Sequence, residues 1–225
     1  MLVLVLGKGK TGSLVAEVAR ERGHGVRALD INENQHASAL TAPNLAGVDV
    51  IVDFTAPEAA VENIRAVLAL GGRIVVGTTG WYTKLEDMKA LAAKRGGGLL
   101  YGTNFSIGVQ KFFRLTAELA RLEGYSYSIA ETHHTSKLDA PSGTALTLKE
   151  IIQAAQPGAE IAVTSQRIGD AKGEHIVTAK SEVDVIEIRH DAFSRRGFAL
   201  GAVRAAEWLN GKSGAWEFRE IFDQL

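Results

Sequence analysis

The sequence predicts an α/β protein: a doubly wound, mostly parallel sheet, followed by a second α+β domain with an open mixed sheet. Three observations carry that reading. From Leu2 to Tyr101, apolar runs of strand length alternate with amphipathic helical segments, the rhythm of a parallel sheet covered by helices on both faces. After Phe105 the rhythm changes to strands with few helices between them. One stretch of that second half, Ser128 to Leu146, gathers more groups able to move protons and bind anions than any other segment.

The first element is Leu2-Val3-Leu4-Val5-Leu6, a continuous apolar run that reads as a strand buried on both faces. Gly7-Lys8-Gly9-Lys10-Thr11-Gly12 follows at once, and Leu14, Val15, Val18 and Ala19 then recur at helical spacing to about Arg22. Val26 to Leu29 is a second strand that closes on Asp30. A lone glycine triplet is a weak signal, and its plain reading is a flexible turn. Here a strand precedes it, a helix follows it, and an acid ends a second strand about 20 residues on, as in Rossmann-like dinucleotide sites. Gly7 permits the tight turn, Gly9 lets the backbone approach a pyrophosphate, and Gly12 lets helix and strand pack closely. The free N–H groups and dipole of the helix start attract phosphate. Asp30 accepts hydrogen bonds from a ribose, which favours NADH, whereas Lys10 pulls toward the extra phosphate of NADPH. Good use of NADH is expected, with NADPH as a second donor.

The pattern repeats. Asp49 to Phe54 is a strand, Thr55 is an N-cap candidate with Pro57 in the first turn, and Ala60, Ile64, Val67 and Leu68 form a helical face. Arg73 to Val76 is the next strand and ends in Gly77-Thr78-Thr79-Gly80; a helix spans about Lys84 to Lys94; Leu99 to Tyr101 is a strand ending in Gly102-Thr103-Asn104-Phe105. Ligands bind such sheets beyond the carboxyl ends of the strands. These two loops lie there, with small residues that leave room for a ring, so both are taken as cofactor-binding. The connection from 30 to 49 is read as irregular.

In the second half, Val109 to Leu122 is an amphipathic helix, and Tyr125 to Glu131 alternates as a strand that runs into the histidine stretch. Ser142 to Ala155 is a helix with Ser142 as N-cap. Strands are expected over Glu160–Arg167, His175–Ala179 and Glu182–Arg189, with Val183, Val185 and Ile188 packed on helices. An alanine-rich helix spans Ser194 to Leu209, and Trp216 to Ile221 is a short closing helix. The expected domains are 1–104, a dinucleotide-binding domain on which about 205–225 packs back, and 105–204, a substrate-binding and oligomerisation domain. Domain closure is expected as well.

Bulk properties bound the function. The chain has 225 residues, 46% hydrophobic and 23% charged, the balance of a protein with a real core. A net charge of −1 gives no basic field for nucleic acid or anionic lipid. With no cysteine, disulfides, iron–sulfur clusters and thiolate zinc sites are excluded. No apolar run approaches the roughly 18 residues of a membrane span, and the first apolar run meets Gly7 and Lys8 too soon for a signal peptide. The expectation is a cytoplasmic enzyme without nucleic-acid or membrane partners.

The chemistry is expected in Glu131-Thr132-His133-His134-Thr135-Ser136-Lys137-Leu138-Asp139-Ala140-Pro141-Ser142-Gly143-Thr144. Adjacent His133 and His134 point opposite ways on an extended backbone, so one faces a ligand and the other a support. A lone histidine is usually structural, but two beside Lys137 and before a helix start are not so easily dismissed. No metal is expected, because neither histidine has a ligand partner at metal spacing. Backbone N–H groups of Ser142-Gly143-Thr144 at a helix start form an anion site. With Lys137 and the histidines it suits a small dicarboxylate. Asp139 is read as holding the loop, and Arg195 and Arg196 as a solvated helix start.

This stretch resembles the signature of the 4-hydroxy-tetrahydrodipicolinate reductase (dihydrodipicolinate reductase) family, E-x-H-H-x-x-K-x-D-A-P-S-G-T-A. Asp53-Phe54-Thr55-x-Pro57, Gly77-Thr78-Thr79-Gly80, Asn104 to Val109, His190 to Arg195 and Phe198 to Ala202 resemble it too, in the family's order. The resemblance covers nearly the whole chain. It implies NAD(P)H-dependent reduction of a cyclic, imine-like dicarboxylate to tetrahydrodipicolinate, in lysine and diaminopimelate biosynthesis. It also implies His133 as proton donor/acceptor, Lys137 as proton donor, His134 with Gly143 and Thr144 as substrate binders, and a homotetramer joined through the second domain's sheet. The chain departs from the family in a trimmed region after Asp30, a glycine loop shorter by one residue with Lys10 where arginine is usual, and a different loop at 168–174. Another amino-acid dehydrogenase on the same platform is the nearer alternative. A non-catalytic dinucleotide sensor is the other, and it would not need His133, His134 and Lys137 together.

Overall fold

The computed structural model describes residues 1–225. The chain forms two compact units, Met1–Ile107 with Arg195–Leu225, and Gly108–Ser194. The segment returning to the first unit therefore begins about ten residues earlier than the sequence suggested, and it takes in a whole helix.

The first unit holds a parallel sheet of six strands: β1 (Leu2–Leu6), β2 (Gly25–Leu29), β3 (Val50–Asp53), β4 (Arg73–Val76), β5 (Gly98–Tyr101) and β10 (Gly214–Glu217). Their order is β10-β5-β4-β3-β1-β2, and each neighbouring pair runs parallel. Side chains of β1 show why its sequence is apolar throughout. Val3 and Val5 enter a core with Val15, Val18 and Ala19 of α1 (Lys10–Glu21) and Ala202, Ala206 and Leu209 of α6 (Arg196–Leu209). Leu4 and Leu6 enter the opposite core with Ile64, Val67 and Leu68 of α2 (Pro57–Ala69) and Met88 and Ala92 of α3 (Leu85–Arg95). A strand covered on both faces has no polar face to alternate with. Gly201 of α6 has a steric reason: a Cβ there would lie 1.7 Å from the Phe105 carbonyl oxygen, so even alanine would not fit this approach.

Three expectations are corrected here. Trp216 and Glu217 belong to β10, a sixth strand paired with Leu100 and Tyr101; the closing helix, α7 (Phe218–Ile221), is shorter and starts with a capping box between Glu217 and Glu220. Thr55 does not cap α2. Its hydroxyl donates to Asp53 at 2.7 Å, and Ala56 takes the cap position before Pro57. Arg196 is not a free helix-start cation, because it pairs with Glu17 and Glu21 of α1. The 30–49 connection has no strand or α-helix, only a 3₁₀ turn over Gln35–Ala37 and hydrogen-bonded turns on either side of it.

The second unit has a mixed sheet of β6 (Ser126–His133), β7 (Ala162–Arg167), β8 (Glu174–Lys180) and β9 (Val185–Asp191), in the order β7-β6-β8-β9. β7 runs parallel to β6, and β8 and β9 are antiparallel to their neighbours. α4 (Ile107–Leu119) and α5 (Gly143–Ala155) supply Val109, Phe112, Phe113, Leu148 and Ile152 to its core with Tyr127, Ile129 and Val177. Of the three residues expected against helices, only Ile188 packs on this core. Val183 is 88% and Val185 57% exposed, because β9 is an edge strand and Val183 precedes it.

Candidate active site

In the first unit the glycine loop turns from β1 into α1. Gly7 has φ +93°, a conformation costly for any other residue. A Cβ on Gly12 would lie 1.9 Å from the Gly7 carbonyl oxygen, and at Gly9 the space is open. Gly9 is the N-cap of α1 and offers no side-chain cap, and the first turn carries no acid. The first amides of the helix are thus left for an external anion. Two cavities flank Gly9. One, of about 430 Å³, is lined by Gly7, Lys8, Asp30, Ile31, Asn34 and Thr55, among others. The other, of about 450 Å³, is lined by Gly9, Lys10, Thr11, Thr55, Gly77, Thr78 and Thr79, with Phe54 and Pro57. Two cavities that meet at one bare helix start could hold a dinucleotide.

The cations fall differently from expectation. Lys8, not Lys10, is the cation beside Asp30: its Nζ donates to Glu33 at 2.5 Å and lies 3.9 Å from Asp30. Lys10 lines the other cavity. Asp30 Oδ1 also accepts from the backbone of Asn32 and Glu33, which holds the turn after β2.

The loops after β3 and β4 are tied together by Asp53, a buried carboxylate that sequence reasoning gave no role. It accepts from the Thr55 amide and hydroxyl, from the Thr78 hydroxyl at 2.8 Å and from Asn63 at 2.8 Å. Asn63 in turn accepts from Asn34. Burial pushes the Asp53 carboxyl above its ordinary value, and these neutral donors only partly offset it. The Thr78 side chain is therefore spent on the scaffold. The Phe105 ring is likewise drawn into the core. It is 2% exposed and packs on Phe218 with ring centroids 4.5 Å apart. Gly102 packs under Phe218, and Asn104 accepts from the Ser106 amide. Thr103 is exposed. Neither cavity beside Gly9 is lined by the 102–105 loop.

In the second unit the site grows from the register of the sheet. Residues i, i+2 and i+4 of a strand share one face, so Tyr127, Ile129, Glu131 and His133 all point into the covered side of β6. The first two are core; the last two turn its end polar. Pairing places Ser165 of β7 beside Glu131 and Arg167 beside His133, while His175 of β8 lies opposite Glu131. Glu131, 1% exposed, becomes a hub. Its Oε1 accepts from the Ser142 amide at 3.0 Å, from the Ser165 hydroxyl at 2.7 Å and from Arg167 at 3.3 Å. Its Oε2 accepts from the Ser142 amide at 3.2 Å and lies 3.6 Å from His133 Nδ1 and 3.5 Å from His175 Nε2. Burial alone would raise this carboxyl, but hydrogen bonds from Ser142 and Ser165 outweigh it and hold the group below its ordinary value. Burial lowers both histidines, His175 to about 4, so both are neutral near pH 7.

His134 lies beyond the strand, half-buried, with Nδ1 2.7 Å from the Ser136 hydroxyl. The two adjacent histidines therefore separate as expected, one under the sheet's cover and one toward the loop. Lys137 is clamped by both oxygens of Asp139, at 2.7 and 2.8 Å. Arg167 braces this loop by donating to the Lys137 and Asp139 carbonyls. Ser142 caps α5, accepting from the Ala145 amide. Gly143 and Thr144 begin the helix, with open space over Gly143. Glu131, His133 and His175 also bring three donor atoms within 4.8 Å of one another, a set able to hold a cation, although no metal was expected and Arg167 adds a positive charge beside it. Sequence reasoning missed His175, Ser165 and Arg167. They lie 34 to 44 residues from Glu131, and only strand pairing brings them to it.

Comparison with known proteins agrees across the whole chain. The model of the dihydrodipicolinate reductase N-terminus matches residues 1–105, and that of its C-terminus matches residues 108–222. A 4-hydroxy-tetrahydrodipicolinate reductase of Christiangramia forsetii is 37% identical over 100% of this chain and 99% of its own length. One of Natronomonas pharaonis is 35% identical over 96% and 97%. Among solved structures, a dipicolinate-bound dihydrodipicolinate reductase from Paenisporosarcina sp. has the same fold, with TM-score 0.83 at 23% identity over 100% of this chain and 99% of that one. No helix is long and apolar enough to cross a membrane. This chain belongs to the dihydrodipicolinate reductase family, whose members use a nicotinamide dinucleotide.

Proposed function

We propose that this protein reduces 4-hydroxy-tetrahydrodipicolinate to tetrahydrodipicolinate with NAD(P)H, the step its relatives are named for in lysine and diaminopimelate biosynthesis. The observation that carries the reading is local. The second unit brings a histidine, a loop lysine and a helix start together within one fourteen-residue stretch, Glu131 to Thr144, in a chain matched to this family from end to end. The first unit takes the dinucleotide and the second takes the substrate.

In this reading the ring dicarboxylate is held by the α5 helix start at Gly143 and Thr144 and by His134. His133 exchanges a proton with the substrate, and Lys137 donates one once the substrate draws it from Asp139. When bound, the reduced nicotinamide supplies the hydride. The residues' part is to orient the ring and to quench the charge that builds on its nitrogen. Gly7, Gly9 and Gly12 give the pyrophosphate its close approach; Lys8, Lys10, Thr11, Gly77, Thr78 and Thr79 line the space on either side. Gly102, Thr103 and Asn104 serve through their backbone at the end of β5. NADH is the favoured cofactor. Asp30 and Glu33 present acid where a 2′-phosphate would lie, Lys8 is neutralised by both, and the next residue, Ile31, is apolar and exposed.

A homotetramer completes the reading, joined through the second unit's sheet. The β9 edge, with Val185 and Ile186 exposed beside Val183, supports it; such an edge favours pairing with another chain. A cytoplasmic location accompanies the biosynthetic role. The test is an assay with aldolase product freshly made from aspartate semialdehyde and pyruvate, following NADH oxidation and repeating with NADPH. Product-dependent oxidation, faster with NADH, is expected. No oxidation with either cofactor would remove the reading.

A further inference from the structure

The signature histidine is more than a proton carrier on a loop. It is 8% exposed, and its two ring nitrogens meet different surroundings. Nδ1 is buried with no hydrogen-bond partner, and it lies 3.6 Å from Glu131 Oε2, too long for a hydrogen bond but within ion-pair reach. Nε2 faces Gly173, where a Cβ would stand 3.2 Å from it. Gly173 has φ +143°, which L side chains rarely adopt, so the backbone itself keeps that approach free of a side chain. Contacts of catalytic groups are often long before substrate binds and tighten in the complex.

Glu131 is built to stay ionised and still. Both its oxygens accept from the Ser142 amide, and Ser165 and Arg167 anchor Oε1. His175 Nε2 is shared between the Ser142 hydroxyl at 3.1 Å and Oε2 at 3.5 Å, its ring set edge-on to His133 at 5.0 Å. Oε2 faces both rings, 3.6 Å from His133 Nδ1 and 3.5 Å from His175 Nε2, and His175 has the Ser142 hydroxyl as its closer partner. The same carboxylate therefore holds the N-cap of α5 and faces the acid–base ring.

We propose that Glu131 is a positioning residue that holds His133 as the Nδ1–H tautomer, leaving Nε2 as the nitrogen that exchanges the proton, and that it locks this ring to the carboxylate-binding start of α5. The inference rests on the reading of His133 as acid–base residue. A neutral imidazole carries one ring proton, and a fixed carboxylate at Nδ1 attracts it there. When Nε2 gains a proton, the resulting imidazolium is stabilised across the Nδ1–Oε2 contact. The charged and titratable groups facing His133 are Glu131 on its own strand, Arg167 on β7, His175 on β8, and His134 and Lys137 on the following loop. Among them only Glu131 favours the protonated ring.

The test begins with the unaltered protein, with a chelator present because the three donors can hold a cation. Nitrogen-15 NMR of the histidine rings at pH 8 should show His133 protonated at Nδ1; an Nε2–H tautomer overturns the proposal without any variant. Glu131→Gln should then lower kcat at least tenfold with KM changed less than threefold, and move the acidic limb of the kcat profile to lower pH. Glu131→Asp, which keeps the charge, should restore part of kcat. An unchanged tautomer and pH limb in Glu131→Gln would also overturn it. If His133→Ala keeps near-normal turnover, the acid–base reading itself fails, and that outcome is distinct because the tautomer is read without turnover.

Discussion

Each unit carries one buried carboxylate at the end of a central strand, and the two behave in opposite ways. Asp53 ends β3 and Glu131 lies near the end of β6. Both are almost fully buried and both knit loops together. Asp53 is met by two threonines and an asparagine, neutral groups that leave its carboxyl raised by burial. Glu131 is met by a backbone amide on both oxygens, a serine, an arginine and two histidines, and its carboxyl is lowered. Asp53 is the more deeply enclosed of the two, so burial outweighs its donors; at Glu131 the hydrogen bonds and the nearby His133 outweigh a smaller cost of burial. The difference separates tasks. A carboxyl met by neutral donors suffices to tie the loops after β3 and β4 together, whereas one held ionised can orient and stabilise a charged ring.

The largest test of that division is turnover. His133→Ala and Lys137→Ala should cut kcat by roughly 100-fold or more, the usual size of an acid–base contribution, while NADH binding measured by fluorescence stays intact. Normal rates in both variants would leave the Glu131 hub with no chemistry to serve.

Acid stability comes next. His175 is pushed from the ordinary 6.5 to about 4 by burial. Its neutral form favours the fold, a contribution fully present above pH 6.5 and lost as pH falls toward 4, because the unfolded chain binds the proton first. The loss over that window is about 3 kcal/mol, and denaturant melts across it should show it. His175→Gln should flatten this part of the profile. Glu131 adds to the same direction below the ordinary carboxylate value, while Asp53, with its raised carboxyl, favours the fold as pH falls. A pH-independent melt between 4 and 6.5 would break the contrast.

The smallest effect sharpens the first unit alone. Asp30→Ala should weaken NADH by about tenfold, near the 1.4 kcal/mol of a charge-assisted hydrogen bond, and NADPH by less. Equal losses for the two cofactors would take Asp30 off the ribose.

Much of this molecule was legible in the chain. The parallel sheet announced itself because a strand buried on both faces must be apolar throughout, as Leu2 to Leu6 is. The glycine loop was readable because Gly7 and Gly12 tolerate no side chain where they stand. Ser142 could be read as a cap from its own chemistry, since its hydroxyl serves the amide of Ala145 only three residues on. Local rules were less safe where a distant partner competed: Thr55 had the makings of a cap but gave its hydroxyl to Asp53, and Trp216 had helical neighbours but paired with β5.

What only the tertiary structure decided is the company each group keeps. Periodicity along β6 aims Glu131 and His133 to one side, but it says nothing of what waits there. Ser165, Arg167 and His175 arrive by register with strands far along the chain, and a shift of one residue would turn every one of them to the opposite face. Phe105 and Thr78 were drawn into packing and the Asp53 network for the same reason. Sequence determines which groups are present and which way a strand points them; pairing and burial determine which of them meet, and so which carry charge.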